Sequence, residues 1–67
     1  MNQLQNLRKA RGLTQEQLAE QIKASRKAVQ SWESGNRNPR PAMMQRIEDF
    51  FGVPKEKIFF EVFSYKM

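Results

Sequence analysis

The segment SRKAVQSWESGNRNP, residues 25–39, contains the side chains of this chain best suited to binding chemistry. Its apolar residues Ala28, Val29 and Trp32 recur at helical spacing, which predicts a helix with one buried edge. The other edge carries two cations and two neutral hydrogen-bonding side chains: Arg26, Lys27, Gln30 and Ser31. Such side chains bind anions and hydrogen-bond acceptors. The segment therefore indicates a binding surface.

Catalysis is the least supported class of function. The chain of 67 residues contains neither Cys nor His, which excludes a disulfide framework, a thiolate zinc site and the common nucleophile–histidine arrangements. Its seven acidic residues are scattered and form no recognisable catalytic constellation. We therefore expect a protein that is not an enzyme and that has no cofactor and no metal site.

The positive charge of the chain is concentrated around the same segment. The formal net charge is +5, and residues 23–40 alone hold five cations against one acid, Glu33. A solvated basic face is the alternative explanation of such a cluster. However, the predicted exposed edge has no acid before Glu33, whereas an ordinary surface helix usually alternates signs. The distribution favours contact with a polyanion.

The length and the periodicity predict one domain of five helices. The predicted helices cover residues 2–11, 14–22, 25–34 and 41–51, with a short fifth helix after Val53-Pro54. Thr14 and Gln17 have the spacing of a capping box, Ser25 is a good N-cap, and Pro41 suits the first position of a helix. The two residues Lys23-Ala24 leave room only for a tight turn between the second and third helices.

The second helix, this turn and the third helix form a helix-turn-helix. The small side chain of Ala19 lets the two helices approach, and Ile22 and Val29 are expected to meet across the turn. With the flanking stretches LRKARGLTQEQLAEQI and IEDFFGVPKEKIF, the chain resembles the phage repressor and Cro-like domains, also called the XRE family. The resemblance covers residues 4–59. It implies an all-α, five-helix lambda-repressor-like domain that binds double-stranded DNA with its third helix in the major groove.

The resemblance also implies roles for individual residues. The side chains expected to read bases are Arg26, Lys27, Gln30 and Ser31. The side chains expected to contact the DNA backbone are Gln15, Lys23, Ser25, Asn36, Arg37, Asn38 and Arg40. Arg8 and Glu33 are expected to form a partly buried ion pair between the first helix and the end of the third.

Four positions depart from the family pattern, namely Lys23, Arg40, Glu48 and Phe50. Lys23 stands where the family commonly has glycine; either this lysine adopts a positive φ, which costs about 1 kcal/mol, or the second helix ends differently. Phe50 replaces a small residue and is an aromatic side chain beyond what the domain core requires.

The end of the chain changes period. Residues 59–65 are rich in strand-forming side chains, which predicts a short C-terminal β-strand extension after a domain of residues 1–59. We expect this tail, residues 60–67, to dimerise the protein. The expected interface is Phe50, Phe60, Val62, Phe63 and Tyr65. The alternative is a tail that folds back on the core of its own monomer.

These expectations combine into a sequence-specific transcriptional regulator. Its simplest form is a phage or bacterial repressor that binds a palindromic operator as a homodimer through the helix at residues 25–34. The alternative is an antitoxin-type interaction module with a toxin or other protein partner and secondary DNA binding. No apolar run reaches the length of a membrane span, so we expect no membrane partner and a cytoplasmic location in a bacterial cell or phage-infected host.

Overall fold

The computed structural model describes residues 2–60 and shows five α-helices in this part of the chain. They are α1 (Leu4–Ala10), α2 (Gln15–Ile22), α3 (Arg26–Ser34), α4 (Pro41–Phe51) and α5 (Lys55–Ile58). The prediction of five helices is thus confirmed, with α1 shorter than the predicted residues 2–11 and α5 short, as expected. α4, the longest, has 11 residues. None of the helices in residues 2–60 has the length and apolar character that crossing a membrane requires.

The predicted C-terminal β-strand extension is wrong. Residues 2–60 contain no strand, and Phe59, its expected first residue, directly follows α5 with its side chain fully buried. Strand propensity largely reflects packing against neighbouring strands, and this helical domain offers none. Phe59 therefore packs into the helical core. Val62, Phe63 and Tyr65 lie outside the described residues.

The helix ends follow from local chemistry. The Thr14 hydroxyl accepts a hydrogen bond from the Gln17 N–H at 3.0 Å, and the Gln17 side chain accepts one from the Thr14 N–H at 2.9 Å, which confirms the capping box. The Ser25 hydroxyl accepts from the Ala28 N–H at 3.0 Å and caps α3. Pro41 occupies the first turn of α4, as predicted. Each of the three capping hydrogen bonds satisfies a backbone N–H at a helix start that the helix itself leaves unpaired.

The five helices share one core. Its members come from every helix, with Phe59 just after α5, and are Leu4, Leu18, Ala19, Ile22, Val29, Trp32, Met44, Ile47, Phe51, Ile58 and Phe59. The ends of the domain are also joined by backbone, because the Gln3 N–H donates to the carbonyl of Ile58 at 3.0 Å.

Asn2 connects the start of α1 to the end of α3. Its side-chain oxygen accepts from the Leu4 N–H at 3.0 Å, and its side-chain nitrogen donates to the carbonyl of Trp32 at 2.8 Å. One amide thereby satisfies an orphan donor of α1 and a carbonyl of α3.

Phe50 has an intramolecular role. Its half-buried ring packs edge-on against Phe51, with 4.9 Å between ring centroids. The guanidinium of Arg11 lies 5.2 Å from the Phe50 ring centroid and donates to the carbonyl of Phe51 at 3.2 Å. Arg11 therefore closes the C-terminal end of α4. Phe60, by contrast, is 39% exposed.

The turn between α2 and α3 places Lys23 in the left-handed region, with φ 59° and ψ 49°. Lys23 is the C-cap of α2, and the next N–H, that of Ala24, donates to the carbonyl of Ala19 at 2.8 Å. Of the two alternatives for Lys23, the structure shows the positive φ. A side chain with a Cβ is strained in this conformation.

We predict that Lys23→Gly raises the free energy of unfolding by about 0.5–1 kcal/mol. Removing the Cβ relieves the left-handed strain, and this gain is partly offset by the greater freedom of glycine in the unfolded chain. Thermal unfolding measures the difference. Lys23→Ala is the matched control because it removes the charge and keeps the Cβ. An equal gain from Lys23→Ala would contradict the explanation.

A second prediction concerns acid stability at the junction of α4 and α5. The Lys55 N–H donates to Glu48 Oε1 at 3.0 Å, and this bond, helped by the Lys55 ammonium at 3.2 Å, lowers the pKa of Glu48 below its ordinary value of 4.5. A lowered folded-state pKa stabilises the fold above pH 4.5, and this contribution is lost as the pH falls through the folded-state value.

Glu48→Gln should therefore flatten the loss of stability on acidification below about pH 4.5. Urea unfolding at a series of pH values measures the slope in both proteins. Glu56→Gln removes a neighbouring exposed carboxylate that lacks this contact and serves as the control. The same slope in wild type and Glu48→Gln would refute the prediction.

Candidate nucleic-acid interface

α2 and α3 meet in a tightly packed elbow. Ala19 and Ile22 of α2 and Val29 of α3 are all buried, and Ala24 in the turn is half-buried. A small residue at position 19 permits this close approach, and apolar packing fixes the angle of α3. The elbow thus holds the outer face of α3 in a defined orientation toward solvent.

The outer face of α3 carries the residues expected to read bases. Arg26, Lys27 and Gln30 are exposed, and Ser31 is half-buried. Within residues 2–60, no hydrogen bond or ion pair engages the side chains of Arg26, Lys27 or Gln30. Their donors are therefore available to a partner molecule.

A groove of about 510 Å³ lies between α3 and the loop that follows it. Trp32, Pro39 and Met43 contribute apolar surface to it. Six of the predicted DNA-contacting residues also line it: Ser25, Lys27, Ser31, Arg37, Asn38 and Arg40. The structure thus brings base-reading and backbone-contacting candidates to one surface. Gln15, Lys23, Arg26, Gln30 and Asn36 lie outside this groove.

The loop is held to the end of α3 by main-chain bonds. The N–H groups of Asn36 and Arg37 both donate to the carbonyl of Ser31, at 3.1 and 3.4 Å. Pro39 is buried farther along the same loop. These contacts position the exposed side chains of the loop beside α3.

The exposed charge of residues 23–40 is all positive. The five cations of residues 23–40 are exposed, namely Lys23, Arg26, Lys27, Arg37 and Arg40. The single acid of the segment, Glu33, is 5% exposed and faces inward. Its charge is paired inside the protein, so the surface presents the cations without it.

Glu33 forms a two-pronged ion pair with Arg8. Arg8 Nε donates to Glu33 Oε2 at 2.6 Å, and Arg8 Nη2 donates to Oε1 at 3.0 Å. Arg8 Nη1 also donates to the carbonyl of Leu13 at 2.8 Å. Arg8 is itself only 8% exposed, so the pair is buried as well as fully hydrogen-bonded. It joins α1 to the last turn of α3.

Gln15, the first residue of α2, is part of the same network. Its side-chain nitrogen donates to Glu33 Oε1 at 3.0 Å, and the residue is half-buried. Sequence reasoning assigned Gln15 to a phosphate and missed this contact. The two residues are 18 positions apart and share no periodic pattern, so no local signal indicates that they meet.

The comparisons with known proteins agree with this arrangement. The profile of a family described as helix-turn-helix matches residues 4–58. The chain belongs to the XRE-type helix-turn-helix family. It is also 46% identical over 55 residues to the HTH-type transcriptional activator BcrR of Enterococcus faecalis. The match covers 82% of this chain and 27% of that relative, so the chain corresponds to about a quarter of the relative's length. Membership in this family supports a DNA-binding transcription regulator.

We predict that Arg8→Met lowers the free energy of unfolding by about 3–5 kcal/mol, because it leaves the buried Glu33 carboxylate without its cation. The double variant Arg8→Met/Glu33→Leu leaves no uncompensated charge and should be clearly more stable than Arg8→Met. Denaturant unfolding compares the three proteins. A double variant no more stable than the single one would rule out charge burial as the cause.

Proposed function

We propose that this chain is a sequence-specific DNA-binding regulator of transcription that inserts α3 into the major groove of double-stranded DNA. The observation that carries the proposal is the exposed row of donors on α3 that have no hydrogen-bond or ion-pair partner within residues 2–60, positioned by a packed helix-turn-helix elbow. In this fold class the second helix of the motif enters the major groove, and its outer side chains meet base edges.

The side chains of α3 have the chemistry that base edges require. Arg26 or Lys27 would bond O6 and N7 of guanine, and Gln30 would bond N6 and N7 of adenine. Ser31 can serve either as donor or as acceptor. Recognition through these positions would give the protein its sequence preference.

Contacts to the sugar-phosphate backbone would set the register of the domain on DNA. The exposed loop side chains Asn36, Arg37, Asn38 and Arg40 would supply them on one side of α3. Lys23 and Ser25 would add contacts at the turn. Gln15 would bond a phosphate oxygen at the N-terminus of α2, where the helix dipole also favours negative charge. Such contacts raise affinity for every sequence.

The proposal also concerns whether the bound protein represses or activates transcription. The sequence predicts a repressor that acts by occupying its operator, and the relative from Enterococcus faecalis is named an activator. The DNA contacts proposed here do not depend on the direction of regulation. We propose repression by occupancy as the simplest mode.

Binding to a palindromic operator would require two copies of the chain, with recognition helices about 34 Å apart. The homodimer stays a proposal. Its support in residues 2–60 is the exposed ring of Phe60, since Phe50 packs within its own chain. The antitoxin alternative depends on the tail at residues 61–67, which lies outside the described residues.

Selection from random duplex DNA tests the proposal. We expect one preferred sequence whose symmetry also reports the number of copies bound. A chain that shows no preference for any duplex over random competitor at moderate salt would overturn the proposed function.

The selected duplex then separates base reading from backbone contact. Gln30→Ala should lose about 1–3 kcal/mol of discrimination at one base pair, because one bidentate contact is removed. Arg37→Ala should weaken binding to all sequences about equally and reduce the salt slope by about 0.9, since one fewer phosphate is neutralised. Binding titrations on cognate and scrambled duplexes measure both effects. Equal loss of preference in the two variants would contradict the division of roles.

A further inference from the structure

The amide of Gln15 is held in place before any partner arrives. Its nitrogen lies 3.0 Å from Glu33 Oε1, at the start of α2. An ionised carboxylate accepts hydrogen bonds and donates none, so the nitrogen and not the oxygen of the amide must face Glu33. One N–H of Gln15 is used in this bond. The second N–H of the same nitrogen is left for another acceptor.

The negative charge of Glu33 is compensated where it holds Gln15. Both carboxylate oxygens accept bonds from Arg8, at 2.6 and 3.0 Å, and the carboxylate is buried. A bare carboxylate this close to the proposed phosphate contact would repel the phosphate. Paired with Arg8, Glu33 can orient the amide of Gln15 without presenting an uncompensated anion to DNA.

We propose that Glu33 is a positioning residue for the phosphate contact of Gln15. This inference rests on the proposed function and deepens it. Through Arg8, Glu33 and Gln15, the phosphate-contacting start of α2 is linked to the last turn of α3 and to α1. The phosphate contact and the base-reading helix thereby keep one fixed register.

Preorganisation is the physical advantage of this arrangement. A free glutamine side chain loses rotamer freedom when it binds, which weakens the contact it makes. Gln21 and Gln30 are such side chains, since both are exposed and have no side-chain hydrogen bond within residues 2–60. Gln15 has already lost that freedom in the unbound protein.

A mutant cycle on DNA affinity tests the inference. Gln15→Ala should weaken binding to the selected duplex about threefold to tenfold, the value of one hydrogen bond. In the Arg8→Met/Glu33→Leu background the amide is no longer oriented, and the same substitution should cost less than about twofold. Affinities are measured under conditions where circular dichroism shows every variant folded.

Arg37→Ala is the matched control. Arg37 lies on the loop after α3 and forms no hydrogen bond or ion pair with Glu33, so Arg37→Ala should weaken binding by the same factor in both backgrounds. An unchanged effect of Gln15→Ala in the two backgrounds overturns the inference while leaving the proposed function intact. If the wild-type chain prefers no duplex, the proposed function fails and the inference fails with it.

A measurement on the unbound wild-type chain decides the case even if the double variant does not fold. Side-chain ¹⁵N relaxation should give Gln15 Nε2 an order parameter close to that of rigid backbone, about 0.85, and give Gln21 Nε2 a value below about 0.6. A Gln15 amide as mobile as that of Gln21 would overturn the inference.

Discussion

The buried ion pair between Arg8 and Glu33 is the interaction on which the rest of the structure depends. It joins α1 to the end of α3, and a parallel contact from Asn2 to the carbonyl of Trp32 joins the same two helices one residue away. A buried pair adds little net stability compared with apolar packing, because desolvation offsets most of the attraction. Its value lies in geometry: only one orientation of α3 satisfies both partners.

The small size of the domain makes this geometric constraint important. A chain of this length buries a limited apolar core and has no disulfide to supplement it. Polar contacts between helices must therefore be fully paired. Among the described residues, no buried side-chain nitrogen or oxygen lacks a hydrogen-bond partner. Because the buried polar side chains are all hydrogen-bonded, they favour one relative orientation of α2 and α3. A surface that reads base edges requires such a fixed orientation.

The same pair also separates the charges of the protein. Turning Glu33 inward satisfies Arg8 and removes the only acid of residues 23–40 from the surface. The cations of this segment face solvent, and no carboxylate of residues 2–60 forms an ion pair with them. Structural and electrostatic requirements thus converge on Glu33, whose ion pair with Arg8 was expected from the family resemblance. This convergence leaves the exposed charge of residues 23–40 entirely positive.

The sequence by itself determined the five helices, their caps and the exposed row on α3, because these depend on neighbours three or four positions away. Thr14, Ser25 and Pro41 act at the helix starts predicted for them. The strand predicted from Phe59 onward is wrong, because a strand is stabilised by pairing with a neighbouring strand and residues 2–60 contain none. Only the tertiary structure decided that Gln15 meets Glu33. Packing of the helices brings these residues together although they are 18 positions apart in the sequence, so no short-range periodicity predicts the contact.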